Sequence, residues 1–426
     1  MAQTHYTLQC TYCGKEYEDS LAGFLLACPE QHPPSLLRAH YQNKKFAIRE
    51  ELPGIFRFFN WLPVRTILKA APGPAVFHSQ KLGSLLGLEN LLIAFSGYWP
   101  EKGALMETGT FKELEASPVC ARIPENEKGV LVVSSAGNTA RAFLHVCSDN
   151  AIPVVVVVPE VGLPSLWITR TRNSCVKIVA LKGDVDYFDA IRLGNIIAEQ
   201  PGYFPEGGAK NVSRRDGLGT VLLSVVEFTG RLPDHYFQAV GSGTGGIAAW
   251  EMSCRLLADG RFGATKMRLH LSQNAPFTPM VDAWNQGSRT LLPMDEGEQK
   301  TRLRLTKAHV LSNRQPPYAV VGGVYDALRD STGYMYAVSN AEAERAGAIF
   351  LKEEGCDLDP AAEVAVASLC QAVEQGRVGK KELVALNLTG GGYTILEREK
   401  RKLSLEPDVV ITAEELQSGR IKVLAP

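Results

Sequence analysis

No stretch of this chain is apolar for long enough to cross a bilayer. The longest such run, near Ile152–Val158, falls far short of the ~20 residues a spanning helix needs. Charge of one sign is not in excess: 45 Lys and Arg face 46 Asp and Glu. With no basic run either, nothing favours binding to nucleic acid or to a membrane surface. Internal repeats and low-complexity tracts are missing. The nine cysteines are odd in number and scattered, so they do not read as a disulfide framework. The polar start, MAQTHYTLQC, is not that of a signal peptide. These features place the protein in a reducing cytoplasm. The eight histidines form no cluster. His145 and His235 lie in apolar contexts and read as ordinary core or boundary residues. Cys120, Cys147, Cys175, Cys254, Cys356 and Cys370 read as small buried hydrophobes.

What is present is an alternation of strand and helix signals, over a length of 426 residues that suits two to three domains of ~150 each. Gly129–Ser135 and Ile152–Pro159 are apolar runs rich in β-branched residues, as buried strands are. Cys175–Leu181, His235–Val240, Lys266–Gln273 and Leu383–Leu388 are further strands. Between them fall helical patterns at Thr139–Asp149, Pro164–Arg172, Val185–Glu199, Gly246–Asp259 and Ala361–Gln375. Ser339 to Glu342 is a capping box that opens a helix running to about Glu354. Alternation of this kind predicts an open α/β architecture with parallel sheets.

In such sheets ligands sit at the carboxyl ends of strands. Three strand-end loops have the composition for it. Ser134-Ser135-Ala136-Gly137-Asn138-Thr139 offers small residues and hydroxyls at a helix start, suited to an anion; an ordinary N-cap has the same composition. Gly241-Ser242-Gly243-Thr244-Gly245-Gly246 offers room and N–H groups for a phosphate; a tight turn without ligand is the alternative. It also fits the dinucleotide fingerprint, but the next strand ends in Leu271-Ser272-Gln273, without the acid that would hold a ribose. A Walker loop would need Gly-Lys-Ser/Thr, which is absent. Leu388-Thr389-Gly390-Gly391-Gly392-Tyr393 is either a flexible turn or a strand end presenting the Thr389 hydroxyl. A fourth segment, Thr108-Gly109-Thr110-Phe111-Lys112, carries a lysine into a helix N-terminus. The dipole there disfavours its charge and lowers its pKa, although most lysines are plain surface charges.

In this order the four segments resemble the threonine synthase family of pyridoxal-phosphate (PLP) enzymes. The family's Ser-Phe-Lys-Asp-Arg motif is matched by Thr110-Phe111-Lys112-Glu113, its Ser-x-Gly-Asn motif by the loop ending at Asn138. The resemblance implies the tryptophan-synthase-β-like fold, fold type II, with the cofactor between two open α/β domains. The divisions expected are a ribbon-like element at 1–42, a larger domain at 43–126 and 206–426, and a smaller one at 127–205. It implies that Lys112 holds pyridoxal 5'-phosphate as a Schiff base, that Asn138 meets the ring hydroxyl, and that Gly241, Ser242, Gly243, Thr244, Gly245 and Gly246 cradle the phosphate. Thr389 would face the ring nitrogen.

Two departures point away from threonine synthesis. Glu113-Leu114 replaces the family's Asp-Arg, and Ala71-Pro72-Gly73-Pro74-Ala75-Val76 replaces its Glu-Gly-Thr-Pro-Leu. Within the family the chain is most similar to the cysteate synthase branch. That branch implies β-replacement in coenzyme M biosynthesis: O-phospho-L-serine and sulfite give L-cysteate and phosphate through an aminoacrylate. Threonine synthase, using O-phosphohomoserine and water, is the alternative. The resemblance also implies a homo-oligomer. Anionic substrates need fixed positive charge. Lys210, Arg214, Arg215, Arg65, Lys69 and Arg141 are candidates, with a surface charge the favoured role for each.

The N-terminal Cys10-x2-Cys13 and Cys28-x3-His32 resemble the zinc ribbon that opens many threonine synthases. A fourth cysteine is missing, and only His32 or Glu30 stands near its place. The expectation is a degenerate ribbon held by packing, without metal.

Overall fold

The computed structural model describes residues 4–19, 23–124, 127–135, 137–185, 187–419 and 421. Ala136 of the serine loop and Asp186 in the helix expected from Val185 lie outside the described residues, as do 125 and 126 at the expected domain junction.

Two sheets organise the chain. The first has five strands in the order Tyr203–Pro205, Val130–Ser134, Val154–Pro159, Val176–Lys182 and Val409–Thr412, all parallel. Its valine-rich strand shows why the sequence is apolar on both faces. Val154, Val156 and Val158 pack in one core with Phe143 and Leu144, while Val155 and Val157 pack in another with Ala190 and Leu193. The second sheet has six strands in the order Tyr334–Val338, Arg268–Asn274, His235–Ala239, Leu383–Leu388, Asn90–Phe95 and Ala75–His78. Only the last pair is antiparallel.

The helices that matter below are α1 (Glu113–Arg122), α2 (Asn138–Asn150), α3 (Tyr187–Ala198), α4 (Val212–Thr229), α5 (Thr244–Asp259), α6 (Asn340–Glu354) and α7 (Pro360–Glu374). The Ser339–Glu342 capping box forms as expected and opens α6. A three-stranded antiparallel ribbon, Glu16–Tyr17, Tyr6–Cys10 and Leu37–Tyr41, packs Tyr6, Leu8 and Leu37 into the same core as α4. Among the described residues no helix is long and apolar enough to cross a membrane.

Two elements differ from expectation. Pro164–Arg172 is not a helix: a 3-10 turn at Glu160–Ser165 leads into a short strand, Trp167–Ile168, paired with Leu403–Ser404. Pro164 lies within that 3-10 turn, and the distant partner strand draws the β-prone residues after it. The strand Val409–Thr412 runs parallel to Val176–Lys182, so this C-terminal piece extends the sheet of the 127–205 segment.

Candidate active site

The lysine loop is laced to the end of the strand Leu383–Leu388. Phe111 donates its N–H to the Thr389 carbonyl at 2.9 Å, and Gly391 donates to the Gly109 carbonyl at 3.0 Å. The three glycines are therefore no flexible turn. Gly392 has φ 76°, and a Cβ there would lie 1.9 Å from the Tyr98 carbonyl oxygen, a position only glycine fills without strain.

Lys112 sits at the N-cap of α1. Burial lowers its pKa; Arg214 pushes the same way, and Glu115 opposes both. The direction expected from a helix N-terminus is found, with burial as its chief cause. One turn along, buried Glu115 accepts from Lys112 Nζ at 2.5 Å through Oε1 and pairs with Arg214 Nη2 at 2.6 Å through Oε2. Arg214 also reaches Glu206 at 2.8 Å and donates to Thr139 Oγ1 at 3.3 Å. This meeting depends on how α4 crosses α1. Pro118, inside α1, has no N–H for the Leu114 carbonyl. Gly217 presses against that exposed backbone, where a Cβ would come within 2.0 Å of the Leu114 oxygen. The neighbouring Glu113 is buried, accepts from both the N–H and the hydroxyl of Thr108 at 2.7 Å, and is raised to about 7 by burial.

Asn138 opens α2, and its Oδ1 accepts from Arg141 Nη2 at 2.8 Å. Arg141 stacks over Trp167 at 4.6 Å and donates to the Thr108 carbonyl and the Tyr393 hydroxyl. Tyr393 in turn donates to Asp359 at 3.1 Å.

The glycine loop leads into α5. Gly243 stands at the N-cap without a side-chain cap, so the first turn keeps N–H groups that have no intrahelical acceptor. The Ser242 and Thr244 hydroxyls lie 2.7 Å apart beside them.

Lys112, Asn138, Gly241 to Gly245 and Thr389 line one cleft of about 760 Å³. Gly246 does not line it; that residue stands further into α5, against the Leu271 side chain. Of the candidate cations, Arg141 and Arg214 line the cleft. The others do not. Arg65 faces Asp19 at 3.6 Å, Arg215 pairs with Glu251 at 3.0 Å, Lys210 is exposed, and the Lys69 backbone N–H bonds Asn150. Sequence reasoning missed Glu115, Asp359 and the segment His309 to Gln315, all lining the cleft. Glu115 had one signal, its i,i+3 spacing from Lys112; the 309–315 segment has none. His145 is buried and lowered to about 3 by burial, His235 lies 2.8 Å from His270 in the core, and neither lines the cleft.

The family model for "Pyridoxal-phosphate dependent enzyme" matches residues 97–390. The cysteate synthase of Methanosarcina acetivorans is 46% identical over 419 residues, covering 98% of this chain and 99% of that protein. That of Methanoculleus marisnigri is 48% identical, covering 98% and 95%. Among solved structures, the serine racemase of Dictyostelium discoideum aligns with TM-score 0.56 at 17% identity, covering 74% of this chain and 91% of that one. Threonine deaminase isoform 2 of Solanum lycopersicum aligns with TM-score 0.54 at 15% identity, covering 87% and 97%. At such identities the structural likeness shows the fold alone, and it is the type II fold expected above.

Proposed function

Because the chain belongs to the pyridoxal-phosphate-dependent enzymes, among the cysteate synthases, we propose that it makes L-cysteate from O-phospho-L-serine and sulfite, releasing phosphate, in coenzyme M biosynthesis. The observation that carries this choice of substrates is the charge of the cleft. Lys112, Arg141, Arg214 and Arg314 line it. Arg214 and Arg314 are paired with Glu206 and Glu296, while Arg141 bonds uncharged groups and so stands as a fixed cation for an anionic substrate.

The enzyme uses pyridoxal 5'-phosphate, and the residues present fit it. Lys112 would hold it through Nζ, the N–H groups and hydroxyls at the start of α5 would take its phosphate, and Asn138 and Thr389 would meet the ring. Bound there, the cofactor supplies an electron sink for charge left at the substrate Cα. Lys112, its amine kept less basic by burial, removes the Cα proton and later returns it. Glu115 receives the lysine's charge while it holds that proton. Arg141 fixes Asn138 in place. The Cβ–O bond to phosphate breaks, and sulfur of sulfite forms the new bond to Cβ. Arg214 stands in the cleft as a guide for the departing and arriving anions.

Phosphoserine supplied with sulfite should yield cysteate and phosphate in equal amounts. Threonine from O-phosphohomoserine, with no cysteate formed, would overturn the assignment. We further propose that the enzyme works in the cytoplasm as an assembly of identical subunits; size-exclusion chromatography with light scattering reads the latter.

A further inference from the structure

We propose that Cys10, Cys13, Cys28 and His32 bind one zinc ion, and that this ion fastens the N-terminal ribbon to the larger sheet's side of the molecule. The ligand atoms of these four residues all lie within 4.8 Å of one another. Zinc with Zn–S near 2.3 Å and Zn–N near 2.0 Å spans tetrahedral edges of roughly 3.8 Å between sulfurs and 3.6 Å from sulfur to nitrogen. Cys13 Sγ and Cys28 Sγ are 3.7 Å apart, and Cys10 Sγ and His32 Nε2 are 3.4 Å apart. The missing fourth cysteine, from which a metal-free ribbon is expected, is thus replaced by an imidazole.

The surroundings decide between His32 and Glu30. Glu30 is turned to Lys15, 2.9 Å away. His32 Nδ1 donates to the Pro33 carbonyl at 2.8 Å, which leaves the Nε2 lone pair facing the sulfurs, the usual orientation of a zinc-bound histidine. The sulfurs collect donors as thiolates do: Ser35 Oγ lies 3.2 Å from Cys10, the Tyr12 N–H 3.4 Å from the same sulfur, and Tyr17 OH 3.2 Å from Cys28.

The ligand loop is tied to the body of the protein. Thr11, between the first two cysteines, donates its hydroxyl to the Val321 carbonyl at 3.0 Å, and Leu36 donates its N–H to the same carbonyl at 2.9 Å. An ion that fixes Cys10 to Cys13 fixes this junction. None of the four residues lines the active-site cleft, so the ion's role is structural.

Metal analysis of the holoenzyme, purified without added metal, tests this. One zinc per chain is expected, released as a mercurial binds the three cysteine sulfurs. Cys28→Ser and His32→Ala should each lose the zinc, and His32→Cys should keep it. Without zinc, hydrogen exchange over residues 5–41 rises and Tm falls by several degrees, while the visible cofactor band persists. Because a ribbon variant can fail to fold, the same exchange measurement is made on the native chain after mercurial release. Chains without zinc overturn the proposal, as does a Cys13–Cys28 disulfide. Full zinc occupancy in His32→Ala overturns the choice of fourth ligand.

Discussion

Glu115 accepts a hydrogen bond from the Lys112 ammonium at 2.5 Å, one turn along the same helix, and does so fully buried. Its other oxygen meets Arg214, so one carboxylate ties the lysine to an anion-guiding arginine. Replacing it tests that link. In Glu115→Gln the negative charge that raises the Lys112 pKa is gone, while burial and Arg214 still lower it. The free amine then persists to lower pH. The pH at which apoenzyme takes up pyridoxal phosphate half-maximally, read at the visible band, should fall.

Lys112→Ala should abolish the visible Schiff-base band and cut phosphate release from phosphoserine by about 10³-fold or more, since a positioned acid–base alone contributes about 10²–10⁴-fold. Lys112→Arg keeps the positive charge beside Glu115 but not the nucleophilic amine, and should be equally colourless. Retention of the band in either variant would remove Lys112 from the cofactor.

Glu113 makes the stability of the fold depend on pH. Burial raises its carboxyl from 4.5 to about 7, so the folded chain holds this proton where the unfolded chain has lost it. The stability contributed is complete below pH 4.5 and is lost as pH rises through about 7. Each pH unit between those two values is worth about 1.4 kcal/mol, so the loss totals about 3 kcal/mol. Urea denaturation between pH 4.5 and 8 should show the wild type weakening with rising pH, and Glu113→Gln should flatten that slope.

The parts of the site that could be seen in the sequence are those whose chemistry is local. The glycine loop before α5 and the β-branched strand Val154–Pro159 announce themselves by composition, whereas Lys112, one lysine among many by itself, stands out only in company with the asparagine loop, the glycine loop and Thr389. The Glu115–Arg214 pair is invisible there, because it forms only once Gly217 lets α4 press on the backbone freed by Pro118. The strand at Trp167–Ile168 passes for helix in the sequence for a similar reason: its partner, Leu403–Ser404, arrives from the far end of the chain. The His309 to Gln315 segment lacks any motif and reaches the cleft through tertiary placement alone.

Gly392 puts the Thr-Gly-Gly-Gly segment to a stability test. Alanine there faces two penalties, a left-handed φ of 76° and a Cβ 1.9 Å from the Tyr98 carbonyl. Strain at such a residue costs about 1–3 kcal/mol before the overlap is relieved. Relief must move Tyr98 or the strand end, and the strand end carries both Thr389 and the carbonyl that holds Phe111. Gly392→Ala should therefore lower unfolding free energy by on the order of 3 kcal/mol and also weaken cofactor retention on dialysis. A variant as stable as wild type would show the segment to be the loose turn that its composition allows. Lost stability with cofactor retention unchanged would show that the strand end absorbs the strain without moving Thr389 or Phe111.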